Sequence, residues 1–299
     1  MAEAPLFDEK TRRKLEQLML QASRVRSGAI KGERRSSKRG TSIEFADYRN
    51  YTPGDDLRRL DWNIYARLDR PLTKLYEDEE DLAVHLILDT SASMDWPREG
   101  DAEWNKFDYG RRLVAGLGYT SLTTNDRLML TAASGGELAH FGPARGRGYG
   151  VRLLQYVGGL TASGTTDLNQ SLRSYALRAG RPGLCIVISD LFSPSGYTDG
   201  LNALLGKGHE VAFIHVLSPD EVEPPLAGDL RLVDVETGQP QEVSVDGPMR
   251  DLYIQRLNAW RDGLRDDLLK RGVQYLPVVT STPWEKVILY DLRRAGIVK

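Results

Sequence analysis

The sequence predicts an α/β protein: a doubly wound, mostly parallel central sheet flanked by helices, with an N-terminal extension and an inserted β-hairpin. Three observations carry this. Apolar runs rich in β-branched residues, Val84–Leu88, Leu184–Ile188 and Val211–Val216, read as strands buried on both faces. Segments with apolar residues at helical spacing alternate with them. Two of the runs stop abruptly at a carboxylate, Asp89 and Asp190, and open α/β sheets bind their ligands at that end of the strands.

Taken in order, residues 8–22 carry Leu15, Leu18, Met19 and Leu20 among charges and predict a short amphipathic helix. Arg24 to Arg39 is basic, opposed only by Glu33, and reads as a solvated loop or a partner for the acidic run 77–81, since no aromatics interleave for base stacking. Pro53-Gly54-Asp55-Asp56 is turn chemistry, with an aspartate to cap a short helix through Leu57, Leu60 and Trp62. Asp47, Asp55 and Asp61 read as structural, because no independent donor cluster accompanies them. Residues 1–80 are thus expected to be an N-terminal extension packing on a main domain of 81–299.

Beyond Asp89, residues 107–122 predict a helix covering one sheet face, and Leu128–Ala133 and Leu138–Phe141 an edge hairpin. Gly146-Arg147-Gly148-Tyr149-Gly150 lacks the Lys-Ser/Thr ending of a P-loop, so it reads as the entry to a helix carrying Val151, Leu153, Leu154 and Val157. The loop Gly164-Thr165-Thr166-Asp167 opens a helix through Leu168, Leu172 and Ala176, with Asp167 free to cap it. A polar-faced hairpin near 229–246 interrupts the alternation before a long helix from about Met249 to Lys270. Val273–Val279 is the last strand, with Pro277 placing it at an edge or at its end, and Trp284–Ala295 a C-terminal helix.

Bulk composition excludes more than it assigns. Of 299 residues, 40 are Lys or Arg and 42 Asp or Glu, a formal charge of −2 that offers no general affinity for nucleic acid or a membrane surface. The single cysteine, Cys185, excludes an intrachain disulfide and reads as a buried structural thiol in a reducing compartment. No run approaches the eighteen or so apolar residues of a membrane span, and no signal-peptide core opens the chain, so a cytoplasmic protein without an integral membrane segment is expected. The four histidines are scattered without zinc spacing and read as structural.

The chemistry concentrates at Asp89-Thr90-Ser91-Ala92-Ser93, a D-x-S-x-S loop with three hard oxygen donors. Such donors suit Mg²⁺, which prefers octahedral oxygen ligands at about 2.0–2.1 Å. If the strands ending at Asp89 and Asp190 are neighbours across the switch in strand order, both carboxylates face one crevice, with the Thr166 loop over it.

Together, the D-x-S-x-S strand end, the Gly164-Thr165-Thr166-Asp167 loop and the strand-end Asp190 resemble the metal-ion-dependent adhesion site of von Willebrand factor A domains. The resemblance implies that Asp89, Ser91, Ser93, Thr166 and Asp190 hold Mg²⁺, or Mn²⁺ or Ca²⁺ in its place, some through water, and that a partner's Asp or Glu completes the shell. Thr165 stands where many members have a second glycine, which leaves open which threonine is the ligand. Upstream, Ile43-Glu44-Phe45-Ala46-Asp47-Tyr48-Arg49, Pro53-Gly54-Asp55-Asp56 and Arg58-Arg59-Leu60-Asp61-Trp62 resemble the hallmark of a bacterial subfamily, domain of unknown function fifty-eight. Its members are commonly encoded beside MoxR-type AAA+ ATPases, which implies a non-enzymatic adaptor in protein maturation or remodelling. Two alternatives stay open: a Mg²⁺-dependent phosphohydrolase with Asp89 as nucleophile, although Ser91 stands where a neighbouring acid/base is wanted, and a metal-free scaffold.

Overall fold

The computed structural model describes residues 6–22, 45–76, 82–98, 102–135, 137–165, 167–225 and 228–299. The chain divides into two compact units, Met1–Lys31 with Leu82–Lys299, and Gly32–Asp81. The basic 24–39 segment, the acidic run 77–81 and Thr166 lie outside the described residues.

The first unit opens with helix α1 (Glu9–Leu15), whose N-terminus Asp8 caps by accepting the Thr11 N–H at 2.7 Å. The helix ends well short of residue 22. Leu18, Leu20 and Ala22 are all buried at alternate positions, a period that suits extended chain and not a helix. Leu20 accordingly forms an antiparallel bridge with Val298, flanked by Lys299 N–H to Met19 O at 2.8 Å and Gln21 N–H to Ile297 O at 2.8 Å.

In the second unit, β1 (Phe45–Asn50) pairs antiparallel with β2 (Leu72–Tyr76), and α2 (Trp62–Leu68) lies between them in sequence. One carboxylate organises it. Asp61 accepts the Asn63 and Ile64 N–H groups at 2.9 and 3.2 Å, capping α2, and takes the Tyr48 hydroxyl at 3.0 Å and the Lys74 ammonium at 3.1 Å. These contacts, the Lys74 hydrogen bond foremost, hold its carboxyl down at about 2. Asp55 is likewise committed, to Arg49 at 2.7 Å and to the Thr52 N–H and hydroxyl at 2.9 Å each. Neither side chain is spare for a metal, in line with the structural reading; the Asp47 side chain is outside the described residues. Asp61→Ala should therefore speed amide exchange at Asn63 and Ile64 ahead of the rest of the chain; unchanged protection there would remove Asp61 from this role.

The rest of the first unit is a six-stranded sheet with helices on both faces, as expected. Its elements are β3 (Ala83–Asp89), α3 (Lys106–Thr123), β4 (Arg127–Ser134), β5 (Glu137–Ala144), α4 (Gly150–Gly158), α5 (Leu168–Arg178) and β6 (Leu184–Ser189). There follow α6 (Thr198–Gly206), β7 (Glu210–Leu217), the single turn α7 (Pro219–Val222), β8 (Gly228–Val233), β9 (Pro240–Val245), α8 (Gly247–Lys270) and β10 (Gln274–Val279). Strand order is β10-β7-β6-β3-β4-β5, with only β5 antiparallel to its neighbour. Pro277 lies in the edge strand β10, where its missing N–H costs no ladder bond.

Strand alternation sends Val84, Leu86, Leu88, Leu184, Ile186 and Ile188 into one apolar core with α1, α3, α4 and the C-terminal helical segment. Ile87, Cys185 and Val187 point into the other, with α5, α6 and the end of α8. Cys185 is fully buried there, and burial pushes its thiol up to about 12, which makes it inert. The C-terminal segment is helical over Trp284–Lys286, Val287–Asp291 and Leu292–Arg294, but its middle is a π turn. Strands β8 and β9 form their own two-stranded sheet, with most residues exposed.

Among the described residues no helix is long and apolar enough to cross a membrane.

Candidate functional site

Strand order fixes where the polar groups meet. From β3 the chain runs outward through β4 and β5 on one side, and through β6, β7 and β10 on the other, so its direction reverses between β3 and β6. The C-terminal ends of adjacent parallel strands splay there into a crevice. Val84 pairs with Leu184 and Leu88 with Ile188, so Asp89 leaves its strand abreast of Ser189, with Asp190 one residue further on, and both carboxylates are buried.

Each carboxylate is anchored. Asp89 Oδ1 accepts the Ser91 N–H at 3.0 Å, and Oδ2 accepts the Ser189 hydroxyl at 2.7 Å. Asp190 Oδ1 accepts the Phe192 N–H at 3.1 Å, and Oδ2 takes the Lys106 ammonium at 2.7 Å. Burial, and secondly the charge of Asp190, push the Asp89 carboxyl up to about 6. Two neighbouring buried carboxylates of this kind favour a cation between them.

The loop bearing the serines is held by the loop bearing the threonines. Ala92 N–H donates to Gly164 O at 2.9 Å, Ser163 N–H to Thr90 O at 2.8 Å, Gly135 N–H to Thr165 O at 2.7 Å, and the Ser134 hydroxyl to Ser163 O. Asp167 caps α5 through the Gln170 N–H at 2.9 Å, the structural role expected of it, and accepts the Ser195 hydroxyl from the Asp190 loop at 2.8 Å. The loops after β3, β4 and β6 are thus laced together through the 163–167 loop, which joins α4 to α5.

Of the predicted ligands, the structure brings together Asp89, Ser91, Ser93 and Asp190; Thr166 falls outside the described residues, and Thr165 is exposed beside it. Among the described residues no group of three or more His, Cys, Asp or Glu side chains gathers for a metal, so the candidate set rests on two carboxylates and neighbouring hydroxyls. The donor set fits a small hard cation on one geometric point. Ser91 Oγ and Ser93 Oγ are 3.0 Å apart, which is both a hydroxyl hydrogen bond and the edge of an octahedron with metal–oxygen bonds of about 2.1 Å. The carboxylate oxygens keep a second lone pair beyond the bonds described.

Sequence reasoning missed Lys106 and Glu221. Lys106 is the first residue of α3, closed to solvent, with its ammonium shared between Asp190 at 2.7 Å and Glu221 Oε1 at 2.6 Å and set 5.4 Å from the Phe192 ring centre. Burial alone would push this ammonium down; the two carboxylates outweigh it and leave it raised. Glu221 is raised in turn, by burial against the pull of Lys106. One signal was available: a lysine immediately after the cap Asn105 opposes the helix dipole, so it asks for a local anion.

The histidines are structural, as expected. His85 Nδ1 shares a 2.6 Å hydrogen bond with the Tyr175 hydroxyl and Nε2 lies 3.0 Å from Arg181 O, while His215 Nδ1 lies 2.6 Å from the Tyr275 hydroxyl.

Fold and crevice together define a doubly wound α/β protein with paired carboxylates and hydroxyls at its topological switch point. The chain belongs to the family described as Protein of unknown function DUF58, whose model matches residues 47–262. The uncharacterized protein Rv1480 of Mycobacterium tuberculosis H37Rv is 28% identical over 287 residues, covering 95% of this chain and 89% of that one. The uncharacterized protein MAV169 of Mycobacterium avium is 34% identical over 118 residues, 40% of this chain and 69% of that one. Among solved structures, the conserved hypothetical protein BatB from Bacteroides thetaiotaomicron aligns over 72% of this chain and 98% of its own, at 16% identity and a TM-score of 0.43. An aerotolerance-related membrane protein from Bacteroides fragilis NCTC 9343 aligns over 71% and 99%, at 16% identity and a TM-score of 0.44. Likeness at that level carries no functional argument.

Proposed function

We propose that this protein is a metal-dependent protein-binding module of the von Willebrand factor A type, acting in the cytoplasm with a MoxR-type AAA+ ATPase in the maturation or remodelling of other proteins. The observation that carries the reading is the convergence of Asp89, Ser91, Ser93 and Asp190 at the switch point between β3 and β6. Asp89, Ser91, Ser93 and Asp190, with a threonine of the 165–166 pair, would hold Mg²⁺. Bound there, Mg²⁺ supplies an electrophilic position for a carboxylate. The chain itself supplies orientation: the Ser189 hydroxyl and the Ser91 N–H fix both oxygens of Asp89, and the Ala92–Gly164 and Ser163–Thr90 bonds hold the two loops at one spacing.

The test uses the full chain and the purified MoxR-type ATPase of the same organism. Binding is expected in Mg²⁺ and lost in EDTA, and Asp89→Ala should weaken it by more than about a hundredfold, the cost of losing one charged contact in a site closed to water. Its circular dichroism should remain that of the parent, since Asp89 terminates its strand. Full affinity of Asp89→Ala in Mg²⁺ would remove the metal from the mechanism.

A further inference from the structure

Lys106 has no counterpart in the ligand set above, yet it occupies the most costly position in the crevice. A lysine ammonium out of water needs compensation, and this one has two carboxylates at contact distance, Asp190 at 2.7 Å and Glu221 at 2.6 Å. Side-chain exposure is 1% for Lys106 and 0% for Asp190, so no solvent screens the pair. One of the two strand-end carboxylates is therefore already paired with a cation belonging to the protein.

We infer that Lys106 is an internal counter-cation that stands in for part of a divalent ion's charge, and that Glu221, by sharing the ammonium, tunes how tightly the crevice binds that ion. This rests on the cation-site reading above. With Lys106 in place, Asp89 and Asp190 do not face each other as two bare anions, and the fold stands without metal. An arriving Mg²⁺ meets a nearby positive charge and one carboxylate whose second oxygen is occupied, so the crevice alone holds it weakly. A ligand bringing its own carboxylate restores the missing negative charge, which ties metal binding to partner binding.

Glu221 acts in the opposite sense. Its Oε1 draws on the same ammonium, while Oε2 accepts the Ser218 N–H at 2.8 Å and its carbonyl accepts the Tyr253 hydroxyl from α8 at 2.7 Å. The position of the carboxylate is thus set by α7 and α8, the elements on either side of the β8–β9 hairpin. Both residues are positioning residues, acting on the ion through Asp190.

The experiment is calorimetric titration of the full-length protein with MgCl₂, repeated with MnCl₂, together with melting temperatures at each metal concentration. Lys106→Met removes the competing charge and should tighten metal binding by at least about tenfold, with a larger metal-dependent rise in melting temperature than in the parent. Glu221→Gln leaves the ammonium wholly to Asp190 and should loosen binding by about threefold or more. Opposite signs are the decisive result, since a purely structural ion pair would lower stability in both variants and move affinity in neither. Unchanged or weaker affinity in a folded Lys106→Met, or tighter affinity in Glu221→Gln, overturns the inference while leaving the site intact. If Lys106→Met does not fold even in Mg²⁺, the sign of the Glu221→Gln change decides. Absence of metal binding in the parent, Lys106→Met and Asp89→Ala alike would instead overturn the cation-site reading, and this inference with it.

Discussion

Gly183→Ala should destabilise the sheet unit by more than about 3 kcal/mol and leave much of the protein unfolded. Gly183 sits immediately before β6, and a Cβ built there would lie 1.9 Å from Ala83 O and 2.7 Å from Ala83 C. The obstacle is backbone at the start of β3, so no side chain can swing aside. Relief would require the two central strands to separate at the Val84–Leu184 pair, and that separation travels along the ladder to Asp89. Gly263, inside α8 with nothing within 4 Å, is the control: alanine there should be neutral or stabilise by about 0.5–1 kcal/mol. Urea denaturation of both variants measures the difference, and equal midpoints would show that β3 and β6 do not approach as closely as described.

Acid should weaken the fold well above the range in which carboxylates normally titrate. Burial lowers His85 and His215 to about 4, against an ordinary value near 6.5 in the unfolded chain. Between those values the unfolded chain binds protons that the native protein refuses, so the stability these groups contribute is intact above about pH 6.5 and is lost as pH falls through about 4. The loss should be on the order of 3 kcal/mol per histidine. His85 faces the Tyr175 hydroxyl, Arg181 O and the ring of His209, and His215 faces the Tyr275 hydroxyl and the ring of Trp260, with the charges of Asp190, Arg261 and Lys106 nearby. Asp89 and Glu221, both raised by burial, work the other way and favour the native state as pH drops, which softens the acid limb set by the two histidines. Melting temperatures of the parent, His85→Gln and His215→Gln from pH 7.5 to 4 give the test. Each variant should show a flatter acid limb, and an identical slope would exclude its histidine from the effect.

Much of this architecture was legible in the chain because apolar periodicity is a direct record of burial. Ala83–Asp89 and Leu184–Ser189 are buried at every position, and their carboxylate ends mark where packing stops and the crevice begins. Pro277 pointed to an edge or a strand end, of which the edge is found, and Asp167 marked its helix, for equally local reasons. Local signals failed where distant residues decide. Nothing near Leu20 announces that its pairing partner is Val298, so a helix was expected where the chain is extended. Lys106 could not be given its partners from local sequence, because Asp190 and Glu221 come from the end of β6 and from α7, 84 and 115 residues away. The tract Tyr48 to Trp62 could be recognised without being understood; its aspartates serve Arg49, Thr52, Tyr48 and Lys74 and the cap of α2.

The bridge between Leu20 and Val298 also has a bearing on the order of assembly. Leu15, Leu18 and Leu20 are synthesised well ahead of Trp284, Val287, Ile288 and Val298, which belong to the core that covers them. Contacts of such separation form late, because the chain between their ends must first be ordered. During translation the strap bearing Leu20 therefore waits for its pairing partner until the segment from Trp284 to Val298 has been made. Its docking is a late step, and a ribosome stalled before Trp284 would hold a strap able to meet α3 but without its bridge to Val298.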